Sequence, residues 1–191
     1  MAVPAIRARS SRDSIVWSDQ FEGRIGEVSQ AIPADALEFI QSALPATWVP
    51  LELDRHVIRA IIDVHGEAGA QRCWRGMMAE HTNTPLLRGV LRTSQTLFGA
   101  SPGSVAKMAP KAWPHVYRDV CKLTLLSRSD HDAVLRVSEP CPELEQEPGY
   151  YLCFASVLAG ISDRFGGAEV QIHRSAGIVD LEMTWKAAKA G

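Results

Sequence analysis

At Cys121 the apolar residues change their spacing, from about 3.6 before it to 2 after it, so the chain must combine helices with strands. Upstream the pattern is helical. After Pro33 come Ala36, Leu37, Ile40 and Leu44 at helical spacing, ended by Pro45. From Leu51 to about His65, Leu53, Val57, Ile58, Ile61 and Ile62 form one stripe. Glu52 and Asp54 stand in the first turn, where negative charge suits the helix dipole. Gly66 breaks or caps this helix. A second helix is predicted from about Glu67 to His81, with Cys73, Trp74, Met77, Met78 and His81 on one face. A third runs from Pro85 to Phe98, and Gly99 stops it. Ser101-Pro102 opens a fourth, interrupted at Pro110 and resuming through Trp113, Val116, Tyr117 and Val120.

Downstream, residues 121–128 and 133–138 read as strands joined by the polar turn Ser129-Asp130-His131-Asp132. A Pro- and Glu-rich loop, 139–148, leads to a strongly apolar helix carrying Tyr150, Tyr151, Phe154, Val157, Leu158, Ile161 and Phe165. Gly166-Gly167 ends it. Strands over 168–173 and 178–185 flank the turn Arg174-Ser175-Ala176-Gly177. In the second, Val179, Leu181, Met183 and Trp185 alternate with polar neighbours. The order predicts an α+β fold: N-terminal helices packed on a small antiparallel sheet, with a strand–strand–helix–strand–strand C-terminal half. Residues 1–30 are weakly patterned, with one apolar burst, Ile15-Val16-Trp17, that reads as an edge strand. They are expected to be flexible, before a single domain over 31–187.

Composition excludes several classes. Lys plus Arg total 20 against 22 Asp plus Glu, a net charge of −2, so a dedicated nucleic-acid binder is not expected. Arg7, Arg9 and Arg12 are too few for a nucleic-acid arm, and they precede no apolar core of a signal peptide. No apolar run reaches the roughly 18 residues of a spanning helix. Cys73, Cys121, Cys141 and Cys153 form no C-x-x-C pair and are expected as reduced thiols in a cytoplasmic protein.

The run from Trp48 to Trp185, through LDRHVIRAIIDVHGEAG, SPGSVAKMAPKAWPHVYRDV and GYYLCFASVLAGISDRFGGAEVQIHRSAGIVDLEMTW, resembles an uncharacterised protein family largely restricted to myxobacteria. That family is similar to the 4-vinyl-reductase and TRAPP-type ligand-binding superfamily, to which haem-dependent nitric-oxide sensor domains are linked. The resemblance implies helices on a small antiparallel sheet, often dimerising or holding an apolar ligand between helices. It supplies no catalytic residues. Haem-binding relatives need an axial His, and none of the six His here falls on such a motif, so no cofactor is expected.

No other constellation points to catalysis. His65 and Asp63 are two apart, on different helix faces, and His81 suits a helix C-terminus. Asp130-His131-Asp132 has the elements of a carboxylate–imidazole site, but a turn between strands favours Asp for its geometry alone. Ser101-Pro102-Gly103-Ser104 lacks the nucleophile-elbow and phosphate-loop patterns and reads as a helix start. The remaining feature is a Met and aromatic group: Trp74, Met77, Met78, Phe98, Trp113, Tyr150, Tyr151 and Phe154, with Cys73 beside it. Met adapts its shape, and Trp and Tyr bring a polar tip to an apolar wall. An ordinary packed core is the first reading of this group; where it leaves a cavity, these nine residues are the expected ligand pocket. The leading expectation is a non-enzymatic signalling module that binds a partner protein or itself, with a small apolar ligand between helices. A haem or other small-molecule sensor is the alternative, and an enzyme using the Asp130–Asp132 turn ranks last.

Overall fold

A computed structural model describes residues 3–81 and 101–186. The predicted helix from Pro85 to Phe98 lies outside them, as does Phe98 of the expected pocket. The described elements are β1 (Ala5–Arg7), α1 (Ala8–Ser18), α2 (Glu27–Ala31), α3 (Ala34–Ser42), β2 (Trp48–Pro50), α4 (Leu51–His81), α5 (Pro102–Val116), β3 (Tyr117–Arg118), β4 (Lys122–Arg128), β5 (Asp132–Ser138), α6 (Pro142–Gln146), α7 (Gly149–Ser162), β6 (Glu169–Ser175) and β7 (Ile178–Thr184). Helices are combined with sheets whose described strand pairs are all antiparallel, which makes the fold α+β. No helix among the described residues is long and apolar enough to cross a membrane.

The chain divides into two compact units. One comprises residues Met1–Cys73, Trp113–Cys121 and Pro140–Cys153; the other, residues Trp74–Ala112, Lys122–Glu139 and Phe154–Gly191.

In the first unit, β1 is the middle strand of a three-stranded sheet, paired antiparallel with β2 and β3. Ala5 and Ile6 are buried there, and the Leu51 N–H donates to the Pro4 carbonyl at 2.8 Å. The N-terminal segment read as flexible is therefore built into the structure. The edge strand expected at Ile15-Val16-Trp17 is instead helix α1. Its buried residues Ala8, Ser11, Ile15 and Ser18 recur every three or four positions, and small side chains at Ala8, Ser11 and Ser18 hide that stripe from a hydropathy reading. Arg7 is docked as well: its guanidinium bonds the carbonyls of His115 and Ala46 and stacks 3.8 Å over the Trp48 ring.

Helix α4 carries the predicted break. Gly66 sits at φ 69°, ψ 165°, so the helix is two segments joined by one left-handed residue. That backbone region is nearly closed to residues with a Cβ, although nothing lies within 4 Å of the Cβ position. Gly66→Ala is expected to lower stability by about 1–3 kcal/mol through conformational strain alone, read from chemical denaturation. The predicted interruption at Pro110 is absent: α5 runs unbroken through Pro110 and Pro114. It ends sooner than expected, because Tyr117–Arg118 pair with β1 and Asp119, at φ 55°, turns the chain. Part of the predicted 139–148 loop is the short helix α6, with Pro142 at its start.

In the second unit, four strands pair antiparallel in the order β4-β5-β7-β6. Register aligns the buried residues Ala133 with Met183, Leu135 with Leu181 and Val137 with Val179. On the opposite face Arg136 lies beside Asp180 in a bidentate pair at 2.8 Å and 2.8 Å.

Candidate functional site

The first unit buries a carboxyl. Asp54, on the first turn of α4, is 2% exposed. Its two oxygens take hydroxyls from distant elements: Ser11 of α1 donates at 2.6 Å and Tyr150 of α7 at 2.8 Å. Tyr150 is itself fully buried, with the Leu51 carbonyl 3.4 Å from its hydroxyl. Burial raises the Asp54 carboxyl above the ordinary carboxylate range, and the two hydroxyl bonds partly offset this. Burial, with the nearby Asp54 charge, likewise holds the Tyr150 phenol well above its usual value. The cluster is a hydrogen-bonded proton site closed to water. In the sequence Asp54 reads as a helix-dipole residue; the stripe at Val57 and Ile58, three and four positions on, is the local signal of the buried face.

The thiols are quiet. Burial pushes Cys73 and Cys121 up to about 12 and Cys141 to about 11, and Cys153 further, so all four stay protonated near neutrality. Tyr117 stacks on Trp113 with ring centroids 4.3 Å apart.

The expected pocket residues fall on both sides of the division. Cys73, Trp113, Tyr150 and Tyr151 belong to the first unit, and Trp74, Met77, Met78 and Phe154 to the second. Cys73, Trp74, Met77, Tyr150, Tyr151 and Phe154 are buried, while Trp113 and Met78 are half-buried. In the second unit α7 approaches α4 closely. A Cβ on Gly160 would stand 2.3 Å from the Arg75 carbonyl oxygen and 3.0 Å from the Met78 Cβ. Arg75 itself bonds Asp163 at 2.9 Å and 2.8 Å and Glu169 at 3.2 Å. Trp74 is fully buried, and its indole N–H has no hydrogen-bond partner among the described residues.

The Asp130–Asp132 turn is a turn. The Ser129 hydroxyl accepts from the His131 and Asp132 amides at 3.1 Å and 3.0 Å, and all three acceptor–donor residues face outward or nearly so. At the start of α5, the Ser104 N–H donates to the Ser101 carbonyl at 2.9 Å, as in a helix start. The histidines lie away from the core. His56, His65 and His81 are half-buried, and His115, His131 and His173 are exposed. The Nε2 of His65 is 3.1 Å from the Ser18 carbonyl oxygen. No group of three or more His, Cys, Asp or Glu among the described residues is placed to hold a metal ion.

No protein-family model and no curated protein matches the chain in sequence. Solved structures match it in fold. A variant of the Fe(II) unliganded H-NOX protein from K. algicida superposes with a TM-score of 0.66 at 8% identity, covering 96% of this chain and 98% of that one. The H-NOX protein from S. oneidensis in its Fe(II)NO state gives 0.59 at 11% identity, covering 95% and 99%. An oxygen-binding H-NOX domain related to soluble guanylate cyclases, in its oxygen complex, gives 0.52 at 11%, covering 95% of each. At such identities the likeness is one of fold. It agrees in fold with the haem-dependent nitric-oxide sensor domains to which the sequence resemblance is linked, and nothing in it bears on a myxobacterial family.

Proposed function

We propose that the chain is a non-enzymatic small-molecule sensor domain built on the H-NOX fold, and that its ligand is not haem. The observation carrying the first half is the length-matched likeness, which spans nearly all of both chains. The matched structures are named for Fe(II), nitric oxide, oxygen and haem. This reading favours the second of the sequence-based expectations over an interaction module.

Haem does not fit the residues present. Its iron needs an axial side chain, most often an imidazole, otherwise a thiolate, thioether paired with His, or tyrosinate. Each of the six histidines is half-buried or exposed, and His65 has its Nε2 beside the Ser18 carbonyl, leaving a buried Nδ1 without a partner among the described residues. The four thiols are held protonated by burial. Tyr150 is bonded to Asp54, and burial keeps the Tyr117 phenol from ionising. Residues 82–100 contain no His, Cys, Met or Tyr and so add no ligand.

Two measurements on the full chain test the two halves. Mixing with haemin should give no stoichiometric Soret band, and a one-to-one band that shifts with nitric oxide would overturn the haem-free half. Native mass spectrometry of the protein from its own host should show a discrete small molecule retained at one per chain. Only bare protein, under conditions that keep it folded, would overturn the sensor half.

A further inference from the structure

Trp74 is the largest fully buried side chain in the described structure, and its Nε1–H has no acceptor among the described residues. A packed core seldom leaves such a donor unpaired, because the group has lost its water without compensation. Packing alone does not ask for an indole here; a phenyl ring fills an apolar core with no polar atom to satisfy. An acceptor from outside the chain accounts for the choice of tryptophan. The neighbouring residues suit a guest. Met77 and Met78, three and four residues on, share the helix face of Trp74. Their unbranched thioether chains re-pack at low cost, so a face closed without ligand can open around one. Across this stretch α7 lies so near that only glycine is accommodated at 160, which leaves side-chain movement at Met78 as the way to make room. The adjacent cation, Arg75, is already paired with Asp163 and Glu169, so nothing there draws an anion.

We propose that Trp74 Nε1–H is the docking donor for an uncharged, largely apolar ligand bearing a carbonyl-type oxygen acceptor, received on the Trp74–Met77–Met78 face of α4. The inference rests on the sensor reading above and names the chemistry of its ligand.

The test uses the full chain, labelled with nitrogen-15, and two probes of nearly equal shape: acetophenone, which carries a carbonyl oxygen, and ethylbenzene, which does not. The chain has five tryptophans. The Trp74 indole resonance is assigned in the wild type by triple-resonance experiments and confirmed by its loss in Trp74→Phe. Acetophenone should move that resonance downfield and bind about tenfold tighter than ethylbenzene. In Trp74→Phe the two probes should bind within about twofold of each other. The wild-type comparison decides alone if the variant does not fold. Equal affinities with an unmoved Trp74 resonance would overturn the inference and leave the sensor reading standing. A cross-peak from the Trp74 N–H to bound water in the free protein would also overturn it, since water would then be the partner. Binding of neither probe overturns it too, and the retained-ligand measurement judges the broader reading separately.

Discussion

Gly160→Ala is expected to lower stability by about 3 kcal/mol or more, the largest effect of a methyl group added at a glycine among the described residues. The added Cβ would meet the Arg75 carbonyl oxygen at 2.3 Å and the Arg75 carbonyl carbon at 3.1 Å, with the Met78 Cβ at 3.0 Å. Two of these three atoms are backbone, and the third is the first atom of its side chain. No rotamer change relieves the clash, so α7 must lift from α4 by about an ångström, and contacts along the crossing weaken together. At roughly 2–4 °C per kcal/mol for a chain this long, the melting temperature should fall by about 6–12 °C. Gly149→Ala is the informative contrast. Its Cβ meets Ile62 Cδ1 at 2.5 Å, the end of a side chain that can turn away, and Ile58 Cγ2 at 2.8 Å, a side-chain methyl that moves with χ1, and no backbone atom. Its cost should be nearer 1–2 kcal/mol. Calorimetry on both variants checks the order; a loss at Gly160 below that at Gly149 would sink the argument.

The second large effect is at Asp54. Asp54→Ala leaves a cavity and deprives the Ser11 and Tyr150 hydroxyls of their acceptor, although Tyr150 retains the Leu51 carbonyl as a weaker partner. The expected cost is about 2–4 kcal/mol. Asp54→Asn should cost less, because an amide of the same shape keeps an acceptor for one hydroxyl and can donate to the other. The pH dependence separates the two causes. The folded state raises the Asp54 carboxyl above its value of 3.8, so between that value and the raised one the folded protein binds more protons than the unfolded chain. Stability contributed by the neutral form is therefore complete below 3.8 and declines as pH rises toward the folded value. The slope is at most about 1.4 kcal/mol per pH unit. Asp180 acts in the opposite sense, since Arg136 lowers its carboxyl, but the pair is partly exposed and screened. Subtracting the urea denaturation profile of Asp54→Asn from that of wild type between pH 4 and 8 cancels Asp180 and leaves Asp54. A flat difference would show that Asp54 ionises as it does in the unfolded chain.

Much of the layout is legible in local spacing. The alternation Val179, Leu181, Met183 places one face of β7 in the core, as it does in the structure. Gly66 is readable as a break because the flanking stripes are each complete without it. The misreadings share one cause. Ile15-Val16-Trp17 looks like a strand because three large apolar residues outweigh the small ones at Ala8, Ser11 and Ser18, whose burial is set by residues distant in the chain, as Asp54 is against Ser11. Asp54 looks like a helix-dipole residue because its partners stand 43 and 96 positions away, beyond any local window. Trp74 is readable as apolar, but the missing partner of its N–H is a property of what surrounds it.

By itself, then, the sequence determined the period and polarity of the segments rich in large apolar residues: the helices α3, α4 and α7, the hairpins β4–β5 and β6–β7, and the α+β class. These depend on side chains within a few residues of one another, where backbone geometry is regular. Tertiary structure alone decided that the N-terminal strand enters the middle of a sheet, that a carboxyl is sealed between two hydroxyls, that Gly160 lies against the Arg75 carbonyl, and that an indole donor is buried without a partner. Each is a contact between residues far apart in the chain. Its free energy comes from burial and hydrogen bonding in three dimensions, for which no spacing rule exists.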